Sequence, residues 1–270
     1  MSLSNFANLV YNELFKIYIR KSTWIMYIIL LLLAGGSATI TNSFDVTDAV
    51  SGTWEFTADN YGLLSVVSLL TIIVASGIVA HEFRWGTIKL LLIRPITRTK
   101  ILLSKYVSII LFAVLTSLFI FILLWIFGAI FFGIGGTNPQ MTTSDIFGGD
   151  TKTVSAYSEI ISRYGYGLIE LIMMATFAFT ISSIFRNSSL AIGISIFLMM
   201  GGSMIVGIFA DKPFAKYIFF AHTDLRMHET GRFFLEGVTM QFSIIVLIVY
   251  YILFLVLSWL FFANRDVAGQ

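Results

Sequence analysis

The chain has 270 residues, of which 57% are hydrophobic and only 12% are charged, and its formal net charge is +2 at pH 7. Ordinary soluble domains carry about 25% charged residues, so this composition excludes a soluble globule and predicts an integral membrane protein. The chain has no cysteine, which excludes disulfides, thiol catalysis and cysteine metal sites. We expect an all-α fold, because long apolar runs dominate and the alternating strands of a membrane barrel are missing.

The first predicted element is an amphipathic helix over residues 3–20. Its apolar side chains recur at spacings of three and four, as they do on one face of a helix: Leu3, Phe6, Val10, Leu14 and Ile17. Lys16 and Arg20 stand where this helix leads into the first apolar run. We therefore expect the helix to lie in the interfacial layer of the bilayer.

Six apolar runs are long enough to cross a bilayer, and together they make residues 1–270 a single transmembrane domain. Their predicted bounds are residues 23–40, 62–80, 106–132, 163–185, 189–209 and 241–262. The first run also fits a cleaved signal peptide, but the long amphipathic segment before it favours an uncleaved span.

The segment between the second and third spans sets the predicted orientation. Residues 81–106 carry six of the 17 basic residues of the chain and one acid, Glu82. A short loop this rich in lysine and arginine stays in the cytoplasm, so both termini are predicted to be cytoplasmic. The charge rule is weakest for the last external segment, residues 211–240, which carries four basic residues: Lys212, Lys216, Arg226 and Arg232.

The same basic segment contains a sequence motif. Pro95 disfavours helix at Arg94, so a short amphipathic helix should end there, and Thr97 can then cap the third span. The motif comprises Glu82, Gly86-Thr87-Ile88-Lys89-Leu90-Leu91-Leu92, Arg94-Pro95-Ile96-Thr97-Arg98 and Lys105. It resembles the cytoplasmic loop of ABC-2 type permeases, the membrane subunits of ATP-binding-cassette (ABC) exporters. The segment from Asn12 to Trp24 is also similar to the opening of that family.

The resemblance implies a permease subunit in a bacterial cytoplasmic membrane. Its coupling helix, between spans two and three, would dock on a separate cytoplasmic ATPase dimer, and a second permease copy or a sister permease would complete the transporter. ATP and magnesium would bind the ATPase, so no cofactor is expected in this chain. The residues to which the resemblance gives this coupling role are Glu82, Gly86, Thr87, Lys89, Arg94 and Pro95.

The substrate class that the resemblance implies is an amphipathic peptide, an antibiotic or another hydrophobic molecule, which would give a role in antibiotic resistance. Lipid or glycan export is the alternative within the family. A secondary transporter and a membrane immunity protein are the alternatives outside it. The resemblance also implies short re-entrant helices between spans five and six, near Pro213-Phe214 and Gly231–Leu235.

The sequence gives little support for an enzyme. A nucleotide-binding P-loop needs a Gly-Lys pair, and the chain has none. His81-Glu82 lacks the second histidine of a zinc protease, and Gly201-Gly202-Ser203 lacks the closing glycine of a serine hydrolase. We therefore expect no catalytic residue, no metal site and no nucleic-acid partner.

Two polar features outside the motif have competing interpretations. Glu170 is the one carboxylate within a predicted span. Such a group is either part of a translocation path or lateral gate, or a shallow residue that snorkels to the outer surface or pairs with Arg163. Its predicted depth favours the second interpretation. His222, Asp224, His228 and Glu229 could ligate zinc, but the histidine spacing of six favours an ordinary solvated helix.

Overall fold

The fold is described by a computed structural model, which covers residues 3–43, 52–84, 97–135, 140–143, 152–185, 187–229, 235 and 237–263. Within these residues the chain is mainly helical, and six segments are long and apolar enough to cross a membrane. This confirms a mainly helical chain with six helices long and apolar enough to cross a membrane, while the finer parts of the predicted fold stay predictions.

The helices follow the chain in a simple order. Their bounds are α1 (Leu3–Tyr18), α2 (Lys21–Ser43), α3 (Thr53–Asp59), α4 (Leu63–Ile78), α5 (Ala80–Arg84), α6 (Arg98–Phe132), α7 (Ala156–Ile184), α8 (Ser188–Ile208), α9 (Arg226–Glu229) and α10 (Met240–Ala263). A single 3-10 turn, Asn60–Gly62, joins α3 to α4, so residues from Thr53 to Glu82 form one nearly continuous apolar rod.

Helices α4 and α7 form the centre of the bundle, and α2, α8 and α10 lie at its periphery. In the apolar window of the rod from Thr53 to Glu82, 67% of residues are buried, whereas the figure is 22% for each peripheral helix. The peripheral helices expose large apolar side chains, such as Phe197 and Met200 of α8. Exposed apolar surface of this extent suits contact with lipid.

Buried hydroxyl groups join the central helix α7 to α6 and α10. The Tyr106 hydroxyl of α6 lies 2.9 Å from the Thr176 hydroxyl of α7 and donates to the Tyr251 hydroxyl of α10 at 3.0 Å. One turn further along, Thr180 donates to the Phe254 carbonyl and accepts from the Ser258 hydroxyl. Such interhelical bonds satisfy polar groups that lipid cannot satisfy.

Helical structure extends beyond several of the predicted spans, most of all at the starts of the second, third and fourth. Helix α3 adds about two turns before the second span. The Thr53 amide donates to the Gly133 carbonyl at 3.0 Å, and the Thr53 hydroxyl donates to the Trp125 carbonyl at 2.7 Å. Helix α6 begins at Arg98, so Thr97 occupies the predicted N-cap position with an extended backbone. The Thr97 side chain makes no capping hydrogen bond. Helix α7 begins at Ala156, two turns before its predicted start.

The predicted external segment 133–162 contains a hairpin that the sequence analysis missed. Strands β1 (Gln140–Thr143) and β2 (Lys152–Ser155) pair antiparallel, with Gln140 opposite Ser155 and Thr143 opposite Lys152. Each strand has only four residues, which is too short for an alternating pattern to stand out from the surrounding turn residues.

The segment after α8 contains short helical turns. Residues Ala215–Tyr217 and Phe219–Ala221 are 3-10 turns, and they are followed by the single-turn helix α9. Pro213 and Phe214 lie in turns before them, and positions 231–234 of the other predicted re-entrant element lie outside the described residues. The re-entrant arrangement therefore stays a prediction.

Helix α1 packs against α6. Its buried side chains include Val10, Glu13 and Ile17, and the Ser108 hydroxyl of α6 donates to the Val10 carbonyl at 3.0 Å. Tyr11 and Phe15 on the other side are 66% and 54% exposed. A helix with one face on the bundle and apolar groups on the other is consistent with an interfacial position.

Candidate functional site

A cluster of four charged side chains lies where α1, α5 and α6 meet. Lys105 of α6 is fully buried, and its Nζ lies 2.6 Å from Glu13 Oε2 of α1 and 2.6 Å from Glu82 Oε1 of α5. Lys16 completes the cluster, at 2.5 Å from Glu13 Oε1 and 3.6 Å from Glu82 Oε1. We call Glu13, Lys16, Glu82 and Lys105 the four-charge cluster.

The four-charge cluster is neutral as a whole, which lowers the free-energy cost of burying its charges. Removing a single ion from water into a protein interior costs several kcal/mol, and only close partners of opposite charge offset that cost. Burial raises the pKa of the Glu13 carboxyl, but Lys105 and Lys16 outweigh it, so that the pKa is lowered overall. Glu13 is thus held as a carboxylate that ties α1 to α6.

The position of Glu82 depends on a break in the helix before it. Helix α4 ends at Ile78, and α5 begins at Ala80. The Ser182 hydroxyl oxygen of α7 accepts hydrogen bonds from the Val79 and Ala80 amides, at 3.2 and 3.1 Å. This side chain caps the first turn of α5, because that turn has no carbonyl partners of its own. The cap directs the chain, and with it Glu82, towards Lys105.

Of the six predicted coupling residues, the described part of the chain includes only Glu82. Gly86, Thr87, Lys89, Arg94 and Pro95 lie outside the described residues. Glu82 forms ion pairs with Lys105 and Lys16. The docking role inferred for the segment stays a prediction, while Glu82 acquires a role that the motif did not indicate, since it fastens the beginning of that segment to α1 and α6.

Glu170 lies in a cavity at the opposite half of the bundle. It is the central residue of α7, and its side chain lines a space of about 250 Å³ together with Ser65 of α4, Met199 of α8 and Asp224. The predicted start of this span placed Glu170 near its end, but the two extra turns of α7 put it at the middle of the helix.

Arg163, the expected partner of Glu170, is engaged elsewhere. Its guanidinium contacts Glu159 at 2.5 Å, Asp59 at 3.1 Å and the Ala58 carbonyl at 2.6 Å. Arg226 of α9 joins the same Glu159 at 3.1 Å. The pairing of Arg163 with Glu170 was therefore wrong. The spacing of seven residues would allow Arg163 and Glu170 to lie on one helix face. Arg163 instead contacts Glu159, four residues earlier on α7, and Asp59 of α3.

The two histidines of the predicted external segment share one serine. The Ser243 hydroxyl lies 2.8 Å from His222 Nδ1 and 2.8 Å from His228 Nε2, and His222 Nε2 lies 2.8 Å from the Lys216 carbonyl. A carbonyl only accepts, so His222 Nε2 carries the proton; in a neutral ring Nδ1 then accepts from Ser243. Burial lowers the pKa of both histidines.

These hydrogen bonds hold the two histidines in place. Across the described residues no group of three or more histidine, cysteine, aspartate or glutamate side chains has the geometry to hold an ion. Both His222 ring nitrogens already have protein partners. The cluster joins the segment after α8 to the first turn of α10.

The sequence did not indicate which residues surround Glu82 and Glu170. Glu13 appeared only within the segment that resembles the opening of the family, and Lys105 only as the basic residue at the end of the motif. Lys105 lies two turns inside α6, where apolar residues follow it, and a lysine at such a position is costly unless it is paired; this could have marked Lys105 as buried and bound. No comparable signal placed Asp224 beside Glu170, because that contact joins separate elements.

The apolar helices and their exposed surfaces define a class, the multi-pass integral membrane proteins. Within it, the chain belongs to a family described as proteins of unknown function, DUF2705, whose sequence profile matches residues 24–268. It is similar to Uncharacterized protein YhcI of Bacillus subtilis (strain 168), with 35% identity over an alignment 311 residues long. The alignment covers 97% of this chain and 99% of that protein. It is also similar to Uncharacterized membrane protein YdbK of the same strain, with 33% identity over 205 residues, 75% of this chain and 78% of that protein.

Proposed function

We propose that the chain is the permease subunit of an ABC exporter and that a separate cytoplasmic ATPase drives it. The observation that carries the proposal is the motif from Glu82 to Lys105, which resembles the loop by which ABC-2 type permeases bind their ATPases. A six-helix bundle with exposed apolar helices is compatible with this role.

The four-charge cluster gives the proposed coupling a physical route. The two ends of the motif, Glu82 and Lys105, are joined by a 2.6 Å ion pair, and both also contact α1 through Glu13 or Lys16. A force applied to the segment between them would reach α1, α5 and α6 together. Buried charges resist separation because an unpaired ion in the interior is costly, so the three helices would move as a unit.

The proposed transport cycle follows from differential affinity. ATP binding closes the ATPase dimer, and the docked segment transmits that movement to the helices. The bundle then changes between two arrangements that bind the substrate differently, and ATP hydrolysis resets it. The exported molecule in this proposal is an amphipathic peptide, an antibiotic or another hydrophobic compound; lipid or glycan export is the alternative within the same mechanism.

Two rival functions need no ATPase. A secondary transporter typically has broken helices and charged groups at mid-depth in more than one span. Among the long described helices, α7 carries a carboxylate at its centre, while the four-charge cluster and the Arg163 contacts lie nearer the helix ends. An immunity protein that sequesters a toxin would use the same bundle, with no ATPase bound to residues 86–95.

Co-purification with an ATPase tests the proposal. The tagged chain is co-expressed with candidate ABC ATPase subunits, as the native sequence, as Lys89→Glu with Arg94→Glu, and as Lys212→Glu. Reversing two charges on a docking surface is expected to reduce recovery of the ATPase about tenfold or more. Lys212 is exposed on the predicted external side, so Lys212→Glu controls for a charge reversal away from the motif and should recover the ATPase like the native chain.

Failure of every candidate ATPase to co-purify with a folded native chain would remove the proposal and favour sequestration or secondary transport. Equal loss in the Lys212 variant would show that the effect is one of net charge rather than of docking. Glu82 is unsuitable for this test, because a change there also breaks the ion pair with Lys105.

A further inference from the structure

The cavity around Glu170 is built from four parts of the chain. Ser65 comes from α4, Glu170 and Met174 from α7, and Met199 and Ser203 from α8. The segment after α8 closes it with Phe220, Ala221, Thr223, Asp224 and Met227. Its volume of about 250 Å³ would hold a small organic group, and it lies against the middle of a helix that is long and apolar enough to cross the membrane.

Among the described residues, neither carboxylate of the cavity forms an ion pair with a lysine or an arginine, although the charge of Asp224 acts on His228 and raises the pKa of that imidazole against the effect of burial. Glu170 has no hydrogen bond and no ion pair to any side chain or backbone group of that part of the chain. Asp224 accepts one hydrogen bond, from the Arg226 amide at 3.0 Å. The nearby guanidinium groups of Arg163 and Arg226 are both bound to Glu159. A carboxylate in an apolar setting is costly without a positive partner, so the cavity favours a cation.

The remaining walls select the kind of cation. Three methionines, Met174, Met199 and Met227, provide flexible apolar surface, and Phe220 adds an aromatic ring, a group whose electron-rich face attracts positive charge. Hard metal cations such as Ca²⁺ require six to eight oxygen ligands and gain nothing from such walls. A nitrogen cation attached to an apolar body satisfies the carboxylates and the methionines at once.

We propose that this cavity binds the ammonium or guanidinium group of an amphipathic organic cation, with Glu170 and Asp224 as the ion-pairing residues. The hydroxyls of Ser65, Ser203 and Thr223 supply further acceptors for its N–H groups, and the methionines line the path of its apolar body. The binding of a cation in this cavity does not depend on the proposed function. The inference that such cations are exported does rest on it, and narrows the exported class to cationic amphipathic molecules.

A fluorescent amine and its neutral derivative test this site. The probe is dansylcadaverine, whose fluorescence rises in apolar surroundings and whose primary amine is charged at neutral pH. The control probe is its N-acetyl derivative, which keeps the body and loses the charge. The purified full chain in lipid nanodiscs is titrated with each probe, without any ATPase. The native chain should bind the amine about tenfold or more tightly than the acetylated probe, as expected for a hydrogen-bonded charge pair.

Three variants assign that preference to the cavity. Glu170→Gln keeps the side-chain volume and should abolish most of the preference, and Asp224→Asn should reduce it. Asp211→Asn removes an exposed carboxylate of the same segment that does not line the cavity, and should leave the preference unchanged. Size-exclusion profiles and thermal unfolding of each variant identify any loss of folding, and a misfolded Glu170 variant leaves Asp224→Asn to test the site.

Equal affinity of the native chain for the two probes would overturn the inference, as would an undiminished preference in both cavity variants that remain folded. The outcome is independent of ATPase binding. A chain that prefers the amine but recovers no ATPase would keep the cation site and lose the exporter; a chain that recovers an ATPase without the preference would keep the exporter and lose the site.

Discussion

Replacing Lys105 by methionine is expected to destabilise the folded chain by about 3 kcal/mol or more. Methionine fills a similar volume, so the loss is mainly electrostatic. Glu13 stays buried and Glu82 partly buried, but both lose the ammonium group that lies 2.6 Å from each. Removing one partner from a buried ion pair leaves an uncompensated charge, which costs more than the pair itself contributes.

The free energy of unfolding, measured by denaturant titration in mixed micelles, checks this expectation. Lys16→Met is the matched control, because Lys16 belongs to the same cluster but its side chain is 49% exposed; its loss should cost less than about 1 kcal/mol. Adding Glu13→Gln and Glu82→Gln to Lys105→Met should recover most of the stability. Similar stabilities of the Lys105 and Lys16 variants would contradict the account of the cluster.

Adding a methyl group at Gly202 is expected to destabilise the contact between α8 and the segment that closes the cavity. A β-carbon there would overlap the Phe220 ring and would approach Phe220 Cβ to 2.9 Å. The ring cannot move away freely, since it also packs on Phe177 and Phe219. Overpacking of this kind costs about 1–3 kcal/mol, and the displaced ring would narrow the cavity around Glu170.

The neighbouring glycine provides the control. A β-carbon on Gly201 would meet no packing neighbour within 4 Å. Gly201→Ala should therefore be neutral, or should stabilise α8 by up to about 1 kcal/mol because alanine has the higher helix propensity. Thermal unfolding of the two variants gives the comparison. A Gly202 variant as stable as the Gly201 variant would show that Phe220 does not press on α8 as described.

The long helices were predictable because each is encoded locally. A run of apolar residues the length of a bilayer defines a span by itself, and all six runs coincide with helices. Their ends were less predictable: α3 and the first turns of α7 are mixed in polarity, and they are stabilised by contacts such as that of Arg163 with the Ala58 carbonyl. Such contacts depend on packing rather than on local pattern.

For the same reason, the sequence identified single residues of the charged sites but not the residues that surround them. Glu82 and Glu170 stood out in the sequence, because acids are rare within a basic loop or an apolar run. Their surroundings involve residues from distant parts of the chain, Glu13 with Lys105 in one case and Asp224 in the other. A single sequence contains no information on which of many acids and bases meet across helices.

The measurement that tests the central proposal most directly is a site-specific cross-link to the ATPase. The chain has no cysteine, so Lys89→Cys introduces a single thiol into the coupling motif, and Lys212→Cys introduces one on the predicted opposite face. Each is treated with a bifunctional thiol reagent in membranes that contain the co-expressed ATPase. We expect a covalent adduct with the ATPase from Lys89→Cys and none from Lys212→Cys. No adduct from position 89, or equal adducts from both positions, would contradict the assignment of this chain as an ATPase-driven permease.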